Sequence, residues 1–378
     1  MVYDIRTVRI RNGQDAVEIA NRCHHTRNRK KEKEISMLYI KKQEMQKAMQ
    51  RALENVGCDS ARATRLARII TENTMDGSAS HGANRFPRLV AEVASGVVSL
   101  DGEMTKVSGF GGLEVWDGGF GFGVLNAEQA SERAVELARE HGIGCVSLRN
   151  SNHWMRPGRY GWNMAKAGMI GICWSNTGGN MPVWGARDVR MGNNPIVMAI
   201  PSADGPVLVD MAMSQFANGK LEVARQKGES MPMPCGWDED GNLTDDPETV
   251  LKTRRLLQTG YWKGSAFAMA MDMACVVSSL GMSTPKIDET MRERGAETGH
   301  SQIFIAINCA AVADPQIADR LLKEAEMAYL ASEPDGSGTP IHIPGRLIPQ
   351  KHAQAEAEGV PVVEATWQKI VNLAEAEC

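Results

Sequence analysis

Residues 144–162 read Gly-Cys-Val-Ser-Leu-Arg-Asn-Ser-Asn-His-Trp-Met-Arg-Pro-Gly-Arg-Tyr-Gly-Trp. The apolar run Gly144–Leu148 predicts a buried strand. Behind it crowd a titratable imidazole (His153), two guanidiniums (Arg156 and Arg159), two indoles (Trp154 and Trp162) and a phenol (Tyr160). Ligands of α/β sheets bind at the C-terminal ends of strands. His153 can exchange a proton near neutral pH, and Arg156 and Arg159 can fork onto a carboxylate. A core histidine wedged beside tryptophans uses the same residues, and the local pattern leaves both readings open.

Working outward, Ala127–Glu140 reads as a helix, and Gly142-Ile143-Gly144 turns it into the strand. A second helix closes at Ala165-Lys166-Ala167, and Met169–Trp174 is an apolar strand followed by Ser175-Asn176-Thr177-Gly178-Gly179-Asn180. Further strands are predicted at Ile196–Ile200, Val207–Asp210 and Ile303–Ile307. This alternation predicts an α/β domain. Towards the N-terminus, Ile40, Met45, Met49, Leu53 and Val56 put a helix over Leu38–Val56, which Gly57 ends. Asp59 or Ser60 caps a second helix through Leu66, Ile69 and Ile70, ended by Gly77, and a third covers Phe86–Ala94. From Asp314 the chain returns to helix. The expected division is a basic, disordered extension (1–36), a helical part (37–110), an α/β ligand-binding domain (111–313) and a C-terminal helical part packed on the N-terminal helices (314–378).

The chain has 378 residues, 43% of them hydrophobic and 23% charged, with a net charge of −4. Such a balance argues against nucleic acid or an anionic membrane as the main partner. Residues 1–36 carry nine Lys/Arg against five Asp/Glu and lack the apolar core of a secretory signal. Eight scattered cysteines contain no Cys-x-x-Cys and no zinc spacing. Cys23-His24-His25 supplies three adjacent side chains, which do not by themselves give tetrahedral ligation, so no metal is expected and a reducing cytoplasm is the simplest compartment. Asp272 interrupts the apolar stretch Ala266–Met282, at a cost of about 3 kcal/mol for membrane insertion, so a buried helix is expected there.

Gly119-Phe120-Gly121-Phe122-Gly123 is not the dinucleotide pattern Gly-x-Gly-x-x-Gly, and it reads as a turn. No phosphate loop, Gly-x-Ser-x-Gly or His-Glu-x-x-His occurs. What remains is Ser80-His81-Gly82-Ala83-Asn84-Arg85-Phe86. An imidazole with a guanidinium four residues on suits a 2-oxo acid, one protonating the carbonyl oxygen and the other holding the carboxylate. A helix start with a surface arginine fits the same residues. Gly260-Tyr261-Trp262-Lys263-Gly264-Ser265 suits a loop over a phosphate or flat ring, or an ordinary turn. Asp210, at a strand end, can accept hydrogen bonds from a ribose, or simply form a turn.

Together, Ser80–Arg88, Asn152–Arg156, Tyr160-Gly161-Trp162, Gly171–Trp174, Tyr261–Ser265 and Ser301–Ile307 resemble the malate/L-lactate dehydrogenase family, from about Met37 to Trp367. The resemblance implies a non-Rossmann nucleotide-binding domain with a mixed sheet, plus a helical domain from the two ends of the chain. It implies NAD as cofactor, with NADH favoured over NADPH, and a cytoplasmic homodimer. His81 matches the proton donor, with His153 a second active-site histidine. Arg85 matches the substrate-carboxylate ligand, and Arg156 joins it in substrate binding. Carried over as cofactor-binding are Pro206, Val207, Leu208, Val209, Asp210, Met211, Ala212, Trp262, Lys263, Gly345, Arg346 and Leu347. Arg346-Leu347 departs from the family pattern, which has His-Glu after that glycine, and the basic extension is unmatched. The implied activity is reduction of a 2-oxo acid derived from a sugar acid, by hydride transfer to C2 with a histidine as general acid. A sister activity on malate, lactate, ureidoglycolate or a cyclic imine is the nearest alternative. A nucleotide-binding protein without catalysis, or an interaction protein using the basic extension, are the non-enzyme alternatives.

Overall fold

The helical pattern before residue 100 and the alternating pattern after it become two packed layers. Strand β1 (Met37–Ile40) leads into α1 (Lys42–Glu54), α2 (Ser60–Met75) and, past a 3-10 turn at Ala79–His81, α3 (Phe86–Ala94). The hairpin of β2 (Thr105–Phe110) and β3 (Leu113–Asp117) follows, then α4 (Gly123–His141), β4 (Ile143–Ser151), α5 (Gly158–Lys166) and β5 (Ile170–Ser175). A small hairpin, β6 (Gly179–Pro182) with β7 (Val189–Gly192), precedes β8 (Ile196–Ile200) and β9 (Val207–Met211). Next come α6 (Asn218–Lys227), the short pair β10 (Gly236–Trp237) and β11 (Leu243–Thr244), α7 (Pro247–Thr253), α8 (Trp262–Ser279) and α9 (Thr284–Arg294). Strand β12 (His300–Ile307), α10 (Pro315–Leu330), α11 (Ile348–Glu358), β13 (Val360–Val363) and α12 (Glu364–Glu375) complete the chain. This computed structural model describes residues 36–376, which belong to one compact unit. The basic extension, Cys23-His24-His25 and Cys378 lie outside the described residues.

The fold is α/β around a seven-stranded mixed sheet of order β2-β3-β4-β12-β5-β8-β9. Only β3 and β4 run parallel; every other neighbouring pair in this sheet is antiparallel. Four alanines of α4 (Ala127, Ala130, Ala134 and Ala138) are fully buried, and their small side chains let the helix approach the sheet closely. Gly144 completes that approach, because a Cβ there would run into the Ala134 carbonyl. The N-terminal helices form a second core with α12, built on Met45, Met49, Leu53, Leu66, Ile69 and Ile70 together with Ile370. Asp59 caps α2 by accepting from the Arg62 N–H at 3.0 Å.

Three expectations need correction. The first helix starts at Lys42, not Leu38: Leu38 and Ile40 lie on β1, paired with Val362 and Val360 of β13. A partner more than 300 residues away overrides the local helical spacing, and it also places a strand inside the expected C-terminal helical part. Second, Gly119–Gly123 does join a strand (β3) to a helix (α4), and β2 pairs with β3 across the expected boundary at residue 110. Third, α8 buries one face (Ala268, Met271, Cys275) but exposes Phe267, Met273 and Val277. Among the described residues, no single helix is long and apolar enough to cross a membrane.

Candidate active site

The C-terminal ends of β4 and β5 and the start of the antiparallel β12 share one edge of the sheet, with His300 opposite Ser151. At this edge the structure brings together His153, which follows β4, and His81, which follows α2. Their rings stack at 5.6 Å between centroids, with planes 8° apart. A third imidazole, His300, stands edge-on to His153 at 6.4 Å.

Each histidine is held by its surroundings. The end of α2 anchors the His81 turn: Asn73 donates to the His81 carbonyl at 3.2 Å, and Thr74 Oγ1 accepts from the Ala83 N–H at 2.9 Å. Gly82 permits this contact, since a Cβ there would strike Thr74. Asn152 donates to the Phe120 and Gly121 carbonyls at 2.7 and 2.9 Å, fixing the loop that follows β4. The Met155 N–H donates to His153 Nδ1 at 3.0 Å, which leaves the proton of a neutral His153 on Nε2. The glycine run at the start of α4 cradles backbone: a Cβ on Gly123 would run into the Asn152 carbonyl, and one on Gly121 into Gly102. The N-terminus of α4 is therefore packed closely against the His153 loop. Trp154 points the other way, into the core, beside Tyr160 and Phe304 at 5.8 Å each.

The site is electropositive. Burial, then the charges of Arg85 and Arg156, push the His81 imidazole down to about 4. Burial, then Arg85 and His81, carry His153 well below its ordinary value. Arg85 rests one Nη against Glu92 at 3.5 Å, but its buried Nε has no hydrogen-bond partner. A buried donor left unmade costs about 1–3 kcal/mol, and an incoming carboxylate would satisfy it.

Arg156 and Arg159 are already engaged. Arg156 pairs with Asp76, which also bonds His352 at 2.7 Å. Arg159 pairs with Glu72 at 2.8 Å and Glu128 at 3.5 Å. Arg156, expected among the substrate-binding residues, also acts on the site through its charge on His81.

The residues read as cofactor-binding fall along β9 and beside its two ends. Gly345 (φ +88°) packs on Leu208 and the Pro206 carbonyl, and the Leu208 N–H donates to the Pro344 carbonyl at 3.0 Å. Arg346 is spent on structure, bonding the Gly205 carbonyl, Ser202 at 3.1 Å and Glu326. Asp210 accepts the Gly158 N–H at 2.9 Å, a partner that competes with a ribose. Past the other end of β9, the Thr259 N–H donates to the Met213 carbonyl at 2.8 Å, which brings in the exposed Trp262 and neighbouring Lys263. At the start of α6, Gly219 lies against Ser80, the neighbour of His81.

Sequence reasoning passed over His300 and Glu297. Glu297 takes the His300 Nε2 at 2.9 Å and the Gly178 N–H at 2.6 Å. The signal was present: His300 immediately precedes Ser301-Gln302-Ile303, at the strand end where the other two histidines converge.

A mixed-sheet α/β fold with stacked histidines and a buried arginine at one strand edge fits the class of enzymes that act on small oxo and hydroxy acids. The malate/L-lactate dehydrogenase family model matches residues 40–371, and the chain belongs to that family. It is 40% identical over 332 residues to 2,3-diketo-L-gulonate reductase of Shigella boydii, covering 88% of this chain and 98% of that protein. The protein of the same name from Escherichia coli K12 is 39% identical over the same length, with the same coverage. Among solved structures, sulfolactate dehydrogenase of Methanocaldococcus jannaschii superposes with a TM-score of 0.81 at 26% identity, over 89% of this chain and 96% of that one. Malate dehydrogenase of Entamoeba histolytica shares the fold, with a TM-score of 0.84 at 21% identity over 90% and 98% of the two chains.

Proposed function

We propose that this protein is an NADH-dependent reductase of a 2-oxo acid derived from a sugar acid, converting 2,3-diketo-L-gulonate to 3-dehydro-L-gulonate. The observation that carries this reading is the unpartnered Nε of Arg85, buried beside the stacked His81 and His153. A carboxylate on Arg85 sets the adjacent carbonyl against the imidazoles. His81 protonates the oxygen as negative charge develops there, and His153 polarises the oxygen or holds a hydroxyl of the substrate. His81 is neutral in the free protein at pH 7, the form suited to accept a proton in the reverse reaction; in the forward direction the substrate's own charge restores it as an acid. Identity of 40% to a reductase with this substrate in its name supports the choice.

The residues present fit a nicotinamide dinucleotide. Val209, Met211 and Trp262 expose apolar surface along one strip, with Lys263 to meet a phosphate. Ser214 Oγ and Gln258 Oε1, buried beside it, lack partners. Pro206–Ala212, Trp262, Lys263 and the backbone at Gly345–Leu347 would hold the cofactor. When bound, it supplies hydride to C2 of the substrate. We further assign the protein to the cytoplasm as a homodimer, with residues 111–313 as the ligand-binding domain between helical end segments. Free cysteines throughout the described chain support the compartment. Exposed Phe267, Met273 and Val277 on α8, with Leu321, Met327 and Tyr329 on α10, support an interface.

The test is direct. His81→Ala is assayed by NADH oxidation at saturating 2,3-diketo-L-gulonate, alongside a panel of malate-, lactate- and imine-type substrates. General-acid assistance is worth about 10²–10⁴ in rate, and a loss of that size is expected. Near-normal turnover would remove His81 as the donor; a preference for another oxo acid would move the protein to a sister activity.

A further inference from the structure

The His81–His153 stack faces cations on most sides. Arg85 follows His81 on the same turn, and Arg156 lies on the His153 loop, tied to Asp76 at the end of α2, which also holds His352 of α11. Glu92 of α3 is taken up by Arg85 and Arg88. From the β12 side come His300 and Glu297, and Glu297 is the carboxylate that opposes these cations at His153. His300 is only 1% exposed, so it works through its neighbours. Its place is built, not incidental. Gly299 (φ +83°) turns the chain into β12 and donates to the Ser151 carbonyl at 3.0 Å. Burial alone would raise the Glu297 carboxyl, but His300, the Gly178 N–H and His153 together hold it ionised, well below the ordinary range.

We propose that His300 and Glu297 are a positioning pair for His153: Glu297 anchors the His300 ring, whose edge fixes His153, and its negative charge stabilises a proton on the His153–His81 stack. A stacked contact with His81 and an edge-on contact with His300 restrict the His153 ring from two sides. The carboxylate lies one imidazole behind it, near enough to act and too far to be consumed as an ion-pair partner. The inference builds on the proposed reductase only for its kinetic readout.

Two variants separate charge from shape. Glu297→Gln keeps the volume and an acceptor for the Gly178 N–H but removes the charge; His300→Phe keeps a ring edge but breaks the link. The first readout needs no substrate. Carbon-13 resonances of the His81 and His153 rings are followed from pH 7 to 4.5 in each protein. In wild type they begin to move near the acid end; in Glu297→Gln they stay still, because the stack's proton affinity falls by about one pH unit, tenfold. The second readout is kcat for oxo-acid reduction against pH at saturating substrate and NADH, which reports the ternary complex, where the substrate's charge has raised the His81 imidazole. Both variants should lose activity about one pH unit earlier on the alkaline side, roughly tenfold at pH 8, and lose little at the acid plateau, with NADH affinity unchanged. Resonances that behave identically in wild type and Glu297→Gln, moving or not, overturn the proposal. So does a rate loss equal at every pH. A resonance difference in a protein that turns over no oxo acid would sustain the pair and sink the reductase assignment instead.

Discussion

Oxamate, a 2-oxo acid mimic that cannot be reduced, should draw a proton from the buffer when it binds with coenzyme at pH 7. His81 is held at about 4 by burial, Arg85 and Arg156, so roughly one free molecule in a thousand carries the proton at pH 7. Restoring half-protonation at pH 7 takes about three pH units, or about 4 kcal/mol. A carboxylate about 4 Å from the imidazole, at an effective dielectric of about 20, contributes about 4 kcal/mol. The two magnitudes match, so a substrate carboxylate on Arg85 is sufficient to arm His81 as an acid. Uptake of roughly half a proton per site is expected from this balance. Binding calorimetry in phosphate and in Tris, whose ionisation enthalpies differ widely, measures it. Arg85→Gln should weaken oxamate binding at least tenfold, the order of a lost charge-assisted hydrogen bond. A binding enthalpy identical in both buffers, with tight binding, would refute the reasoning: His81 would then be armed by something other than the substrate's charge.

The same depressed imidazole has a stability signature. The His81 pKa in the fold lies below the unfolded value of 6.5, so its contribution is complete above about pH 6.5 and is lost as pH falls towards 4, by roughly 2 kcal/mol at pH 5. His81→Gln should flatten that part of the stability profile in urea melts at pH 7, 6 and 5; parallel profiles would count against the assignment. Glu114 is 2% exposed and bound by Lys106 at 2.5 Å and by Arg133 and Trp116 at 2.9 Å. Its carboxyl, held down to about 2 chiefly by Arg133, contributes stability above about pH 4.5 that is lost as pH falls towards 2. Glu114→Ala should cost about 1.5–3 kcal/mol at pH 7, the worth of its charge-assisted hydrogen bonds, read as a lowered denaturant midpoint; an unchanged midpoint would contradict the burial. Gly345→Ala forces a Cβ to 2.9 Å from Leu208 at a positive φ and should cost about 1–3 kcal/mol, raising KM for NADH more than it lowers kcat. An unchanged KM would detach that loop from the cofactor.

Most of the sheet was legible because its strands are short apolar runs bounded by glycine or helix signals. Ile196–Ile200 is the same in sequence and structure, and so is helix Phe86–Ala94. The misses have two causes. Strand β1 pairs with β13 across almost the whole chain, and no local period carries that information. Strand β3 hides in a glycine-rich stretch because its glycines serve the packing of other segments: Gly112 against the Ile143 carbonyl, and Gly118 against Asn126. A run that looks like a loop is a strand whose flanks had to be bare.

For the site, the local sequence left His153 suspended between a core histidine and a catalytic one, and the structure divides the two readings between neighbours. Met155 adopts φ 61°, which costs of order 1 kcal/mol or more for a side chain of its kind. That turn brings its N–H back onto His153 Nδ1, while Trp154 goes into the core against Tyr160 and Phe304. The core reading holds for the tryptophan, and the site reading fits the histidine beside it. A strained residue two positions on does what a regular strand could not: strict alternation past Ser151 would fix side-chain directions by parity, with no backbone donor left to hold a tautomer. The strain marks where the chain stops serving the sheet and starts serving the imidazoles, so Met155→Val, which keeps an apolar side chain but resists that φ through its β-branch, should keep the fold yet loosen His153. The expected result is a mixture of His153 tautomers in nitrogen-15 spectra and a fall in kcat with little change in KM. A single unchanged Nε2–H tautomer would mean that the ring contacts with His81 and His300 suffice.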